Sequence, residues 1–176
     1  MQYEKLNSPN NVDFSHDPDG VWFGDPCYVV PEEQWGHFCD VMFAYEKKHK
    51  LARHYIGEVT DEATGLNWYC WNTAYGDGSY HLMVNDRSVA QLGVDAGMLA
   101  AIPMRLIKHW QKQGEISNYF EHGHVLDSGI CSGVLDTEDG DMYFGYNITL
   151  PTGYDANHHF EDEEDEDECV PNGYFF

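Results

Sequence analysis

The sequence predicts an α+β fold made mostly of antiparallel strands. Short apolar and aromatic segments alternate with turns rich in Gly, Pro, Asn and Asp, which is typical of strands joined by hairpins. Only two segments have the three- and four-residue apolar spacing of a helix. Strands and helices do not alternate, so no parallel βαβ units are expected. We expect a mostly antiparallel sheet that packs against one long helix, over about residues 32–54, and a shorter helix, over about residues 103–113.

The long helix is predicted by a start signal and by one apolar face. Pro and two Glu at 31–33 favour a first turn, because Pro fits the first helical position and acids suit the positive end of the helix dipole. Trp35, Phe38, Met42 and Tyr45 then recur at spacings of three, four and three residues, which places them on one side of the helix.

The shorter helix has a similar pattern. Pro103 favours a helix start, and Gly114 favours a helix end. Leu106, Ile107 and Trp110 lie on one face between them. Both helices therefore have an apolar side that must pack against the sheet.

The strands are predicted from β-branched and aromatic runs between turn residues. Asn-Asp at 85–86 and Asp-Gly at 139–140 are expected to form tight turns between neighbouring strands. An Asp-small-Gly sequence occurs twice, at 95–97 and 127–129, and is expected to be a turn that leads into a buried strand. The predicted strands are 21–23, 27–30, 67–73, 79–84, 89–92, 94–102, 125–126, 130–135 and 142–150.

The composition predicts one folded domain followed by an acidic tail. A chain of 176 residues with 42% hydrophobic and 15% aromatic residues is long and apolar enough to form one core. Toward the C-terminus the composition becomes polar, and 161–168 is an unbroken run of Asp and Glu. We expect a single α+β domain over 1–155 and a flexible acidic tail over 156–176.

The net charge of −22 restricts the partners. Nine Lys and Arg against 31 Asp and Glu would repel the phosphates of nucleic acid and the surface of an anionic membrane. The same charge attracts a basic surface on another protein. We therefore expect a basic protein partner, of the kind that binds nucleic acid, and no direct contact with nucleic acid or with a membrane.

The cysteines and the N-terminal residues indicate a cytoplasmic protein. The five cysteines form no Cys-x-x-Cys pair, and the first eleven residues are polar, unlike a signal peptide. Reduced thiols are typical of the cytoplasm. No segment approaches the length of apolar sequence that a membrane-spanning helix needs.

Motifs for catalysis and for cofactor binding are weak. The two Asp-small-Gly segments resemble the loops of aspartic proteases, but Ala96 replaces the hydroxyl residue in the first. Cys131 with His122 or His124 could form a nucleophile and base, and a buried core cysteine is the alternative. The ten histidines have no metal-binding spacing on a helix, and no Gly-rich phosphate loop is present. We therefore expect a protein without enzymatic activity, cofactor or metal.

The candidate binding residues are carboxylates expected at the surface and one aromatic anchor. Many of the acids fall in predicted turns, which face solvent. Trp68 and Trp71 have opposite parity on one predicted strand, so one of them is expected to face outward and to anchor a partner. The acidic tail is expected to add further contacts. The candidates are Glu58, Asp61, Glu62, Asp77, Asp86, Asp136, Glu138, Asp139, Asp141, Glu161, Asp162, Glu163, Glu164, Asp165 and Trp71.

Three short motifs resemble those of a group of small uncharacterised proteins of phages and bacteria. They are Gly-Asp-Pro-Cys-Tyr at 24–28, Gly-Asp-Gly-x-Tyr at 76–80 and Val-Asp-Ala-Gly at 94–97, in the same order as in that group. The motifs look like structural turns, so the resemblance implies a shared fold more than an activity. It also implies a phage or bacterial cytoplasmic setting, and it carries over no catalytic residue.

In that setting the charge indicates a specific function. Carboxylates spread over a rigid surface can stand in for DNA phosphates. We expect a non-enzymatic acidic binding protein, in particular a phage-encoded DNA mimic that inhibits a DNA-binding or defence protein in the host cytoplasm. Two alternatives stay open. One is a structural or assembly protein of the virion that forms a homodimer or a larger assembly through its sheet edges, and the other is a metal-dependent hydrolase that uses Asp and His.

Overall fold

A computed structural model describes residues 2–5, 10–49, 56–113, 122–138 and 140–152. These residues form two six-stranded antiparallel sheets and two helices, so the predicted α+β class is confirmed. The helices are α1 (Glu32–His49) and α2 (Met104–Gln113). The strands are β1 (Gln2–Lys5), β2 (Asn10–Val12), β3 (Val21–Gly24), β4 (Ile56–Thr60), β5 (Asn67–Asn72), β6 (Gly78–Val84), β7 (Arg87–Val94), β8 (Met98–Pro103), β9 (His124–Leu126), β10 (Gly133–Glu138), β11 (Asp141–Phe144) and β12 (Ile148–Leu150).

The two sheets pack face to face, and the helices cover one of them. The inner sheet has the strand order β1-β4-β5-β8-β3-β9, and the outer sheet has the order β2-β10-β11-β12-β6-β7. Alternate side chains of both sheets meet in a shared core, among them Phe23, Trp71, Leu135 and Phe144. The helices, the inner sheet and the outer sheet therefore form three successive layers.

The helices bury their predicted apolar faces against the other side of the inner sheet. Phe38 and Met42 of α1 and Trp110 of α2 are at most 1% exposed. They share a second core with Trp22 of β3 and Trp68 of β5. Burial of each such side chain contributes about 2–3 kcal/mol, which fixes both helices on the sheet. Neither helix in the described part of the chain is both long and apolar enough to cross a membrane.

The predicted turns join strands as expected. Residues 85–86 have positive φ, at 50° and 62°, and link β6 to β7, because Asn and Asp tolerate this conformation in two-residue hairpins. Glu138 and Asp141 are paired at the ends of β10 and β11, and Asp139 between them lies outside the described residues. The segment predicted as one strand over 94–102 is divided by a turn between β7 and β8.

The strand predicted over 27–30 is wrong. Pro26–Tyr28 is instead a single 3₁₀ turn after β3. The Asp25 side chain precedes this turn and accepts the backbone N–H of Cys27 at 2.9 Å. A proline after Asp has a fixed φ that suits a turn and lacks the N–H that a strand needs, which favours this conformation over a strand.

Candidate functional site

The outer sheet presents an acidic surface on β10 and β11. Core residues alternate with surface residues along these two strands, because successive side chains of a strand point to opposite faces. Leu135, Met142 and Phe144 are at most 1% exposed and belong to the core between the sheets. The residues between and beside them form what we call the acidic face: Val134, Asp136, Glu138, Asp141 and Tyr143.

Strand register brings the carboxylates of the acidic face around one aromatic ring. Asp136 lies opposite Tyr143, and Glu138 lies opposite Asp141. Side chains opposite each other on one face have Cβ atoms about 5 Å apart. The pKa of Tyr143 is raised by partial burial, then by the charges of Asp141 and Glu138, by a hydrogen bond with Asp141, and by the charge of Asp136. All three carboxylates therefore act electrostatically on the same hydroxyl group.

The backbone around these carboxylates is tied to the rest of the protein. Asp141 accepts the backbone N–H of Thr152 at 2.6 Å, and the Thr152 hydroxyl accepts the backbone N–H of Ala74 at 3.4 Å. Gly140 packs so closely on Ala74 that an added Cβ would lie 2.6 Å from its backbone nitrogen. The backbone between β10 and β11 is thereby fixed against the loop that follows β5, together with the carboxylate of Asp141.

Positive charge is concentrated in another layer of the molecule. The only Lys or Arg in the described strands of the outer sheet is Arg87, at the start of β7. On α2, Arg105 is paired with the buried Asp17, and Lys108 lies 3.1 Å from Asp19. The other described cations on the helices are Lys47, Lys48 and Lys112. The acidic face is therefore a surface of one sign.

The structure separates the remaining acidic candidates. Asp77 is exposed in the loop between β5 and β6, and Asp86 is exposed on the turn between β6 and β7. Glu58 lies on β4 of the inner sheet, where it accepts the Asn67 side-chain amide at 2.7 Å. Glu62 is exposed in the turn after β4. Asp139 and the tail candidates at 161–165 lie outside the described residues.

The placement of Asp61 at the surface is wrong. Asp61 is only 3% exposed, and its carboxylate accepts the backbone N–H of Thr64 at 3.0 Å and the Thr64 hydroxyl at 2.6 Å. The indole N–H of Trp110 also donates to it, at 3.3 Å. Asp61 thus shapes the turn after β4 beneath α2, because a buried carboxylate needs such donors. Asp61 is therefore too buried to contact a partner.

The assignment of Trp71 as an outward-facing anchor is also wrong. Opposite parity does separate Trp71 from Trp68, but both faces of the inner sheet are covered. Trp71 is 1% exposed between the two sheets, and Trp68 is fully buried beneath the helices. The aromatic residue that does reach solvent beside carboxylates is Tyr143, which is 40% exposed. Its position between the core residues of β11 was a signal in the sequence that could have found it.

A second polar group forms where the three motifs at 24–28, 76–80 and 94–97 meet. Asp25 is fully buried, and its carboxylate accepts the backbone N–H groups of Asp95 at 2.8 Å and of Ala96 at 2.6 Å. The Tyr28 hydroxyl donates to the Asp95 carboxylate. We call this group the motif junction. A Cβ added at Gly97 would lie 3.7 Å from the Cα of Gly76, so all three motifs are adjacent in space.

The motif junction also brings a histidine against a tyrosine. The rings of Tyr28 and His122 are stacked, with centroids 4.1 Å apart and planes inclined by 13°. No signal in the sequence indicates this contact, because the residues lie on distant segments. Burial, followed by hydrogen bonding to Asp95, raises the pKa of the Tyr28 hydroxyl. That hydroxyl is therefore a hydrogen-bond donor at neutral pH.

The thiols in the described part of the chain are poor nucleophiles. Burial and the charge of Asp25 raise the pKa of Cys27, and burial and the charge of Asp127 raise the pKa of Cys131 to about 12. A thiol must ionise to attack, so both would be protonated at neutral pH. Cys131 is also fully buried, as expected of a core cysteine. Within the described ranges, no three His, Cys, Asp or Glu side chains are grouped so that they could hold a metal ion.

Stability is expected to rise as the pH is lowered from about 7 to about 5. Burial raises the pKa of Asp25, Asp77 and Glu46, and in Asp77 the charge of Asp95 adds to the shift. The folded protein therefore binds protons at these groups more readily than the unfolded chain does. Their contribution to stability is present at low pH and is lost as the pH rises through their folded-state pKa values. The melting temperature across this pH range measures it.

The matched variants for this pH dependence are Asp77→Asn and Asp86→Asn. Asp77→Asn removes a carboxylate with a raised pKa, so it should reduce the rise in melting temperature. Asp86→Asn removes an exposed turn carboxylate and should leave the rise unchanged. A melting temperature of the parent protein that falls between about pH 7 and about pH 5 would contradict the expectation.

Comparison with known proteins gives no match: no family model, no curated protein and no solved structure matches the chain.

Proposed function

We propose that the protein is a non-enzymatic acidic binding protein that holds a cationic surface of another protein against its acidic face. The observation that carries the proposal is the pairing of Asp136 with Tyr143 and of Glu138 with Asp141 on one hairpin. Carboxylates on a paired strand need little reordering when a partner binds, which lowers the entropic cost of association. A partly exposed aromatic ring beside them supplies contact area of the kind that dominates protein interfaces.

The partner class in this proposal is a basic protein that binds nucleic acid, so that the carboxylates act as a DNA mimic. A net charge of −22 supports it, because such a charge attracts cationic grooves over long distances and repels phosphate. Asp77 extends the same sign of charge, since its loop lies beside the β10–β11 hairpin through Ala74. In a phage the natural target would be a DNA-binding or defence protein of the host, in the host cytoplasm.

Affinity capture from a bacterial lysate at low salt, followed by mass spectrometry, tests the proposal. We expect basic nucleic-acid-binding proteins to be captured. We expect duplex DNA to displace them, because the DNA and the acidic face compete for the same cationic groove of the captured protein. Capture should be lost at about 0.5 M salt, where charges are screened beyond a few ångströms. Capture that persists at this salt concentration, or that added DNA does not affect, would sink the proposal.

A matched pair of variants locates the surface. Asp136→Asn/Glu138→Gln/Asp141→Asn removes three charges from the acidic face and keeps an acceptor oxygen at each position. Glu32→Gln/Glu33→Gln/Asp40→Asn removes three charges from the exposed side of α1. We expect the first variant to bind the captured partner at least about tenfold more weakly and the second to lose less than about threefold. Equal losses would mean that net charge alone drives binding.

Size in solution separates the proposal from the virion alternative. A binding protein is expected to be monomeric or dimeric without its partner. A ring or another large assembly formed by the purified protein alone would favour a structural role in the virion. Light scattering after size-exclusion chromatography measures this directly.

A further inference from the structure

We infer that the acidic face selects arginine over lysine and that it does so by stacking a guanidinium group on the ring of Tyr143. The inference rests on the proposed function, since it names the chemistry of the partner that this surface holds. It depends on two features: the charge of the carboxylates and the exposed Tyr143 ring that lies beside them.

The geometry around Tyr143 places carboxylates on one side of its ring. Its partner across β10 is Asp136, and the pair of Glu138 and Asp141 lies one repeat further along the same face of the hairpin. The ring is flanked on β12 by Thr149, which carries no charge. A cation that lies on this ring can therefore reach carboxylates on one side without meeting a like charge on the other.

Apolar side chains are exposed beside these carboxylates. Val134 is 45% exposed on the same strand as Asp136. Tyr146 projects fully into solvent from the turn after β11, and this turn is tied to β10 because the Gly145 N–H donates to the Val134 carbonyl at 2.7 Å. The acidic face thus combines the exposed Tyr143 ring and the exposed Val134 side chain with three carboxylates, and the exposed Tyr146 ring follows in the next turn.

Arginine and lysine differ in how their cationic groups contact such a ring. A guanidinium group is planar and weakly hydrated, stacks on aromatic faces and binds a carboxylate through two parallel hydrogen bonds. An ammonium group is compact and strongly hydrated, so its contact with a half-exposed ring has a larger dehydration penalty. A surface made only of carboxylates would treat the two almost alike. A surface with a ring between carboxylates favours arginine.

The cation that binds the acidic face belongs to another protein in this inference. In the described strands of the outer sheet the only cation is Arg87, at the start of β7. Neither Asp136 nor Glu138 is paired with a cation of the described residues. Charge complementarity with these two carboxylates therefore favours an arginine-bearing segment of a partner, lying along the hairpin.

Fluorescence anisotropy with two labelled peptides tests the inference. The peptides have equal length and charge and differ only in carrying arginine or lysine, and the full chain is titrated at about 50 mM salt. We expect the arginine peptide to bind about tenfold more tightly. Tyr143→Thr, which keeps a good strand former at a solvent-facing position, should abolish this preference, and Tyr143→Phe should keep it. Phe43→Thr, at an exposed aromatic position on α1, should leave both affinities unchanged.

The outcomes separate the inference from the proposed function. Equal affinity for both peptides, or an arginine preference that survives Tyr143→Thr, overturns the arginine selection and leaves the acidic binding function standing. Failure of both peptides to bind overturns the two together. Circular dichroism of each variant establishes that it is folded, and Tyr143→Val serves as a second substitution if Tyr143→Thr is not.

Discussion

Replacing Asp25 with alanine is expected to lower the free energy of unfolding by about 4 kcal/mol, since several buried N–H groups would lose their acceptor. The Asp25 carboxylate accepts the backbone N–H groups of Cys27, Asp95 and Ala96, and the residue is fully buried. Water cannot replace the acceptor cheaply at such a site. Asp25→Asn keeps one acceptor oxygen and should lower the free energy of unfolding by less. Urea denaturation followed by circular dichroism measures both changes.

The matched control for Asp25 is Asp127. It also precedes a 3₁₀ turn, Ser128–Ile130, and accepts the backbone N–H of Gly129 at 2.7 Å, but it is exposed and makes this one contact with the backbone. Asp127→Ala should therefore cost only about 1 kcal/mol. If both alanine variants lost the same stability, the role given to burial and to the three donors at Asp25 would be wrong.

Replacing Gly123 with alanine is expected to lower the free energy of unfolding by about 3 kcal/mol or more, because the added methyl group overpacks the core. A Cβ at Gly123 would lie well under 3.0 Å from ring atoms of Trp22. Trp22 is fully buried beneath the helices, and Gly24 of the same strand also lies close to its ring, which leaves the indole little room to move. Thermal and urea unfolding of the variant measure the loss.

The matched control for Gly123 is Gly36 on α1. Nothing lies within 4 Å of a Cβ added there, and the backbone is helical. Gly36→Ala should therefore raise the free energy of unfolding by about 0.5–1 kcal/mol, because alanine is the better helix former. A Gly123→Ala variant as stable as the parent would contradict the tight packing of Trp22 against Gly123.

The sequence was sufficient for elements whose signals are local. The spacing of Phe38 and Met42 identified the buried side of α1, and Asn-Asp at 85–86 identified the turn between β6 and β7. The pairing of two sheets could not be predicted in the same way. Parity showed that Trp68 and Trp71 point in opposite directions, but which faces are covered depends on strands far away along the chain.

The candidate site was predicted in part. Asp136, Glu138 and Asp141 were named from the sequence and lie together on one hairpin. Asp61 was misplaced because a carboxylate in a turn looks exposed, whereas its hydrogen bond to Trp110 joins residues 49 positions apart. The motif junction was visible as three separate motifs, but their meeting point depends on how both sheets end at one side of the molecule.

The described helices carry five Lys and Arg against four acids, whereas the described strands of the outer sheet carry one Arg against three acids, so these two layers differ in charge. Of the seven Lys and Arg in the described residues, five lie on α1 and α2. An approaching polycation therefore exerts a torque on the protein before the two touch. Rotation into a productive orientation during diffusion would raise the fraction of collisions that succeed, most strongly in dilute buffer.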